Sequence, residues 1–215
     1  YARDGIEGRA FAALTDKDRK DLSAALDTGG AAYETVIQQA YIAYYGRAAD
    51  PAGLTYWAGQ LSSSEGDLGA IISPFAGAPE FTERYGSLSN AELIENTYQQ
   101  MFGRMPGDEG RTYWLGELDS GRKELDTITL DILLGAQNQD LEIINNKVEV
   151  GGYFTGSLSR SSFVYSGSDA ANQVKTLFDQ VTSDLQAGFA VIDAFFAENP
   201  ASESASAVAA MAQEA

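Results

Sequence analysis

The chain repeats itself. The segment Ile37–Leu61, IQQAYIAYYGRAADPAGLTYWAGQL, returns as Ile94–Leu118, IENTYQQMFGRMPGDEGRTYWLGEL, without a gap and at a constant offset of 57 residues. Tyr41 falls on Tyr98, Gly46 on Gly103, Arg47 on Arg104, Gly53 on Gly110, and Thr55-Tyr56-Trp57 on Thr112-Tyr113-Trp114. The two tryptophans of the chain occupy the same place in the two copies. Self-similarity at a fixed period indicates one supersecondary unit used twice, and it bounds the fold before any other feature does.

Periodicity makes that unit helical. In the first copy Val36, Ile37, Ala40, Tyr41, Tyr44 and Tyr45 recur as adjacent pairs four apart, one apolar helix face. Gly46 supplies a left-handed stop, Asp50 an N-cap and Pro51 a first helical position. Leu54, Trp57, Ala58 and Leu61 form a second stripe, and Leu68, Ile71, Ile72 and Phe75 a third. The second copy keeps this order. Ser89 and Glu92 form a capping box before Leu93, Ile94, Tyr98, Met101 and Phe102, and Gly103 ends that helix. Asp108 and Glu109 then sit where a helix start favours negative charge. Trp114, Leu115 and Leu118 follow, then Leu125, Ile128, Ile132 and Leu133.

Outside the repeats, Thr15 and Asp18 mark the start of a helix that Gly29-Gly30 ends. Leu141–Phe154 reads as a helix loosened by Gly151-Gly152, and residues 155–168 as a Ser/Gly-rich loop. Val174–Leu185 and Phe189–Phe196 carry helical stripes with a break near Asp184, and Asn199-Pro200 stops them. No alternating strand pattern longer than about four residues is present, Phe163–Tyr165 being the best candidate. The expectation is an all-α fold: two helical repeats packed as a pseudo-symmetric helical domain, with N-terminal and C-terminal helices. Its parts are an N-terminal helix (1–30), repeat 1 (31–90), repeat 2 (91–140), C-terminal helices completing the core (141–200) and a low-complexity tail (201–215).

Composition narrows the chemistry. With 31 acidic and 14 basic residues the chain carries a formal charge of −17, which repels nucleic-acid phosphates and anionic membrane surfaces. There is no cysteine and no histidine, so disulfides, thiolate metal sites and catalytic dyads or triads built on those residues are excluded. No stretch approaches the roughly 18 apolar residues of a membrane span. The sequence opens at Tyr1 without an initiator Met or a charged-then-apolar leader. It is therefore expected to be a processed or excised piece, any export signal lying outside it.

The pattern aromatic-Gly-Arg-x-x-Asp-x-x-Gly-x-x-Tyr-Trp-x-x-x-Leu resembles domain of unknown function number 4214. Its members occur in large secreted bacterial proteins: surface-layer proteins, adhesins and repeats-in-toxin type calcium-binding proteins. It is also distantly similar to phycobilisome linker domains, which share a Gly-Arg turn but are usually basic. Asn146–Phe154 and the Val181–Asp184 break look like stretches that often follow this domain. The resemblance spans roughly residues 31–200. The second copy departs from the pattern where Gly107 and Asp108 replace Asp50 and Pro51, and where Arg111 replaces Leu54. The resemblance implies an all-α, non-enzymatic module in a secreted or cell-surface bacterial setting, compatible with type I secretion.

Each motif residue has a structural and a functional reading. Arg47 and Arg104 could grip a glycan carboxylate or sulfate with the guanidinium fork. Equally they could bond the last helical carbonyls or pair with an acid such as Asp50 or Glu117, and the repetition of the turn favours this second reading. Trp57 and Trp114 lie on apolar stripes and are expected in the core, whereas Tyr56 and Tyr113 could be core or sugar-stacking. Gly46, Gly53, Gly103 and Gly110 belong to the turns. For calcium, Asp16, Asp18 and Asp21, then Glu65 and Asp67, then Asp119 are candidates, although none reproduces a twelve-residue calcium loop. Glu117 and Asp119 could act as an acid–base pair on a glycoside, but Gln60 replaces Glu117 in the first copy.

These features lead to an expected assembly, anchoring or adhesion module of a secreted or surface-layer-type protein. It would act by self-association or on cell-surface polysaccharide, with divalent cations, Ca²⁺ above all, bridging like charges, and would require no cofactor. The competing expectations are a lectin-like glycan receptor and, more distantly, a carboxylate-based glycoside-active enzyme. No nucleic acid and no transmembrane segment are expected.

Overall fold

A computed structural model of the chain describes residues 30–201. The helix expected before Gly30 and the tail expected after Ala201 lie outside the described residues, as do Asp16, Asp18 and Asp21. The described residues form ten α-helices and a single 3₁₀ turn, with no strand: the chain is all-α. Helices α1 (Gly30–Tyr45), α2 (Pro51–Ser63), α3 (Gly69–Gly77) and α4 (Pro79–Tyr85) carry the first copy. Helices α5 (Asn90–Phe102), α6 (Asp108–Asp119) and α7 (Leu125–Leu134) carry the second. Helices α8 (Asn138–Ser157), α9 (Gly167–Phe178) and α10 (Leu185–Glu198) complete the chain, and the 3₁₀ turn Leu158–Arg160 follows α8.

The helix boundaries repeat with the sequence. Helix α1 ends at Tyr45 and α5 at Phe102, and α2 begins at Pro51 and α6 at Asp108, both pairs 57 apart. The capping chemistry behind those boundaries is local. Asp50 Oδ1 accepts from the Gly53 N–H at 2.8 Å and Pro51 fills the first helical position. Ser89 and Glu92 close the expected capping box at the start of α5. Asp184 caps α10, so the expected break falls where that helix starts. Helix α4 is an addition to the expected elements: it has no apolar run long enough to announce it, but Pro79 starts it and Phe81 and Tyr85, one turn apart, bury it. One expectation needs correction. Gly151 and Gly152 do not loosen α8, which runs through them for 20 residues. A Cβ on Gly151 would stand 3.1 Å from Gln38 Oε1, so this glycine admits α1 rather than ending α8.

Two apolar clusters organise the helices. The larger one joins α1 to α7 with the start of α8, through Ile37, Tyr44, Leu61, Phe75, Phe81, Ile94, Trp114 and Ile128 among others. The smaller one joins α8, α9 and α10 through Val150, Phe154, Val174, Phe178, Ile192 and Phe195. Ala48, in the turn after α1, is the residue of the first copy that belongs to this second cluster. The C-terminal helices therefore seat directly on the first Gly-Arg turn. The Ser/Gly-rich loop between α8 and α9 is pinned by the Ser161–Pro200 bridge, and it carries Phe163 and Tyr165 as loop rather than strand.

Candidate functional site

The two Gly-Arg turns share one local design. Gly46 and Gly103 adopt left-handed backbone, φ +70° and +68°, and end α1 and α5 as expected. The arginine that follows folds back over the helix it leaves. The Arg47 guanidinium lies 5.1 Å from the Tyr41 ring centroid and 5.3 Å from that of Tyr45. Arg104 lies 5.4 Å from Tyr98 and 5.9 Å from Phe102, the residues at the same offset. In each turn Nη1 donates to the carbonyl of the next residue, Ala48 at 3.2 Å and Met105 at 2.9 Å. Each arginine also makes a two-pronged pair with an acid. Arg47 bonds Glu80 at 2.8 and 2.7 Å, and Arg104 bonds both oxygens of Asp140.

Those acids are not the expected ones. Asp50 is occupied as a cap, and Glu117 accepts from Arg122 at 2.8 Å. Glu80 and Asp140 were missed because nothing near them in sequence points at an arginine 33 or 36 residues away. One signal was present: each stands in the first turn of the helix that follows the third helix of its copy, α4 or α8. A bidentate acid suits the guanidinium fork better than a lone carbonyl does, and it ties each turn to a distant helix.

Around this shared design the two sites diverge. At the first turn the Tyr165 hydroxyl accepts from Arg47 Nη1 at 2.7 Å and donates to the Ala48 carbonyl at 2.6 Å. Its ring is the third on this guanidinium, 5.4 Å away. The Arg47 side chain is 11% exposed and Ala48 is fully buried. Burial works against the Arg47 charge, but the bonds to Glu80 and Tyr165 more than restore it, so its pKa is raised. At the second turn no third ring meets Arg104 among the described residues. The Arg104 side chain is 48% exposed and Met105 is 55% exposed. A half-open pocket of about 500 Å³ opens there, a size ordinary for ligand pockets. Tyr98, Phe102, Arg104, Trp114, Ile132 and Asp140 are among its walls.

Smaller side chains make that pocket. Phe75 packs against Tyr41, Tyr45 and Trp57 in the first copy at centroid distances of 5.2 Å. Its counterpart in the second copy is Ile132, and that of Asp50 is Gly107, which caps α6 with no side chain. Gly53 lets Tyr41 approach, since a Cβ there would lie 2.2 Å from its hydroxyl. Gly110 is buried at the equivalent place, where the Tyr98 hydroxyl instead accepts from the Trp114 indole N–H at 3.1 Å.

The remaining candidates lie apart. Trp114 is 2% exposed, while Trp57 is half-buried and packs on the core from its edge. Tyr56 is 57% exposed, and Tyr113 is half-buried. Glu65 adopts left-handed backbone in the turn after α2, and Asp67 accepts from the Gly69 N–H at 2.9 Å. Asp119 accepts from the Asn90 amide at 2.8 Å. Glu65, Asp67 and Asp119 do not gather into any group of three ligating side chains among the described residues. Glu117 and Asp119 are separately engaged, by Arg122 and Asn90. Among the described residues no helix is long and apolar enough to cross a membrane.

Comparison with known proteins adds one relation. Residues 72–141 match the model of a family described as Domain of unknown function (DUF4214). The matched segment runs from within α3 through the whole second Gly-Arg turn and into α8. It therefore contains every element that shapes the open pocket. No curated protein and no solved structure matches the chain.

Proposed function

We propose that this chain is a non-enzymatic assembly, anchoring or adhesion module of a secreted or cell-surface bacterial protein, of surface-layer type. The observation that carries the reading is the inequality of its two turns. The first is sealed by the chain's own C-terminal helices, while the second presents the same motif, uncovered among the described residues, beside a pocket. On this reading the second turn is the surface that a further unit covers. The charge of −17 fits a mechanism by surface complementarity, in which divalent cations such as Ca²⁺ bridge the protein to like-charged neighbours or cell-surface polysaccharide. No cofactor takes part in this mechanism.

Sedimentation velocity and retention on isolated cell envelopes, each with Ca²⁺ and with chelator, test the proposal. Association or retention that chelation reverses supports the module with its cation bridge. Retention that chelation leaves unchanged supports the module without the bridge. A monomer that binds no envelope under either condition ends the proposal. A glycan-binding role has one observation in its favour, the exposed Tyr56 ring beside half-buried Trp57 on α2. It is tested by retention on a glycan array and by the loss of that retention in Tyr56→Ala.

A further inference from the structure

We infer that the second Gly-Arg turn, exposed beside the open pocket, is a receptor for a tyrosine side chain carried on an extended segment of a partner polypeptide. This inference rests on the assembly reading above and names what the uncovered turn receives.

The first copy holds the pattern for the occupant. There an extended loop presents Tyr165 to the turn, and its hydroxyl sits between a guanidinium N–H and a backbone carbonyl, accepting from Arg47 and donating to Ala48 O. A phenol suits that pair because it is donor and acceptor in one atom. Its ring adds a third aromatic face to the cation. The second copy keeps the complementary parts. Arg104 is held at the same place over Tyr98 and Phe102, its other edge is fixed by Asp140, and its Nη1 stands beside the Met105 carbonyl.

The walls also say what the pocket rejects. Asp108, Glu109 and Asp140 line it, so an acidic glycan or a carboxylate meets three negative side chains for one arginine already paired. A neutral aromatic hydroxyl meets no such repulsion. Met105, exposed in the same turn, offers a flexible apolar contact of the kind common at protein-binding surfaces. Tyrosine is also among the residues that most often anchor interfaces.

The test uses the whole chain and the chain's own loop as probe: the blocked peptide SSFVYSG, residues 161–167. The two tryptophans supply two indole N–H resonances, which Trp57→Phe assigns, and Trp114 lies in the pocket wall. The expected result is a saturable shift of the Trp114 resonance while that of Trp57 stays still. The same peptide carrying Tyr165→Phe should bind about tenfold more weakly, the worth of one hydrogen bond to a charged group. Arg104→Ala, at an exposed side chain, should abolish the shift. The inference is overturned if the peptide leaves Trp114 unmoved, if it moves Trp57 alone, if the Phe peptide binds equally well, or if methyl glycosides move Trp114 and the peptide does not. Should the chain still self-associate or bind envelopes after such a failure, with Arg104→Ala unchanged, the assembly reading stands and the tyrosine receptor falls.

Discussion

Two arginines with the same sequence neighbours have different energetic roles, and exposure decides which. Arg47 is buried beneath Tyr165 and paired with Glu80, so Arg47→Ala leaves a part-buried carboxylate and a phenol without their partner. A loss of about 3 kcal/mol is expected. Arg104→Ala removes an arginine that is 48% exposed, although its partner Asp140 is only 16% exposed, and should cost less, about 1–2 kcal/mol. Urea unfolding midpoints measured side by side check this, and equal losses would refute it. The glycines before them differ in the same sense. Gly103→Ala meets nothing within 4 Å and incurs only the left-handed backbone cost, about 1 kcal/mol. Gly46→Ala would also place its Cβ 2.7 Å from the Gln100 side chain. That amide donates to the Ile42 and Ala43 carbonyls and accepts from Tyr85, so displacing it unlocks the end of α1. Thermal unfolding of the two variants should rank Gly46→Ala clearly lower.

Among elements, the α1–α2 contact depends on close approach. Gly53 faces the Tyr41 hydroxyl, and relieving a 2.2 Å contact shifts either the Tyr41 ring out of its packing on Tyr45 and Phe75 or one of the two helices. Gly53→Ala should therefore loosen the α1–α2 contact, lowering the unfolding midpoint by several degrees and raising the Trp57 exposure seen by acrylamide quenching. The short α4 shows why part of this architecture was illegible in sequence. A seven-residue helix has too few turns to display a period, and its role, delivering Glu80 to Arg47, rests on a partner far away in sequence. The long helices behaved otherwise. Their stripes, caps and stops are local, so α1, α2, α5 and α6 could be placed from the residues alone.

At the scale of the whole molecule, buried titratable groups set an alkaline stability profile. Lys147 is 2% exposed and donates to the Gln100 carbonyl at 2.7 Å near the end of α5. Burial pushes its pKa down to about 8, so between there and the ordinary 10.5 the unfolded chain holds a proton that the folded chain has released. Stability must rise with pH across that window. Tyr41 and Tyr85 act in the opposite sense, since burial pushes each up to about 12. Their contribution is complete below the ordinary value of 10.0 and is lost as pH climbs from there toward 12. The expected curve climbs from about pH 8 to about pH 10 and then falls. Lys147→Met should remove the climb and keep the fall. Urea midpoints at about pH 7.5, 9.5 and 11.5 measure both limbs, and a climb that survives Lys147→Met would refute the assignment.

By itself the sequence determined the helices, the repeat and the Gly-Arg turns, because these depend on residues within a few positions of one another: stripes at helical spacing, Asp50 at a cap, Gly46 and Gly103 at left-handed stops. It also determined the acidity and the absence of thiol and imidazole chemistry. Only the tertiary structure decided that the two copies are not equivalent. Tyr165 reaches Arg47 from 118 residues away, and the second cluster closes over Ala48 while Met105 stays exposed. Phe75 and Ile132 look like interchangeable core residues in a stripe, yet the difference in their volume separates a filled site from an open pocket. Local rules carry no information on how much space remains once distant helices have packed, and that space distinguishes the turn buried under the C-terminal helices from the turn left exposed beside a pocket.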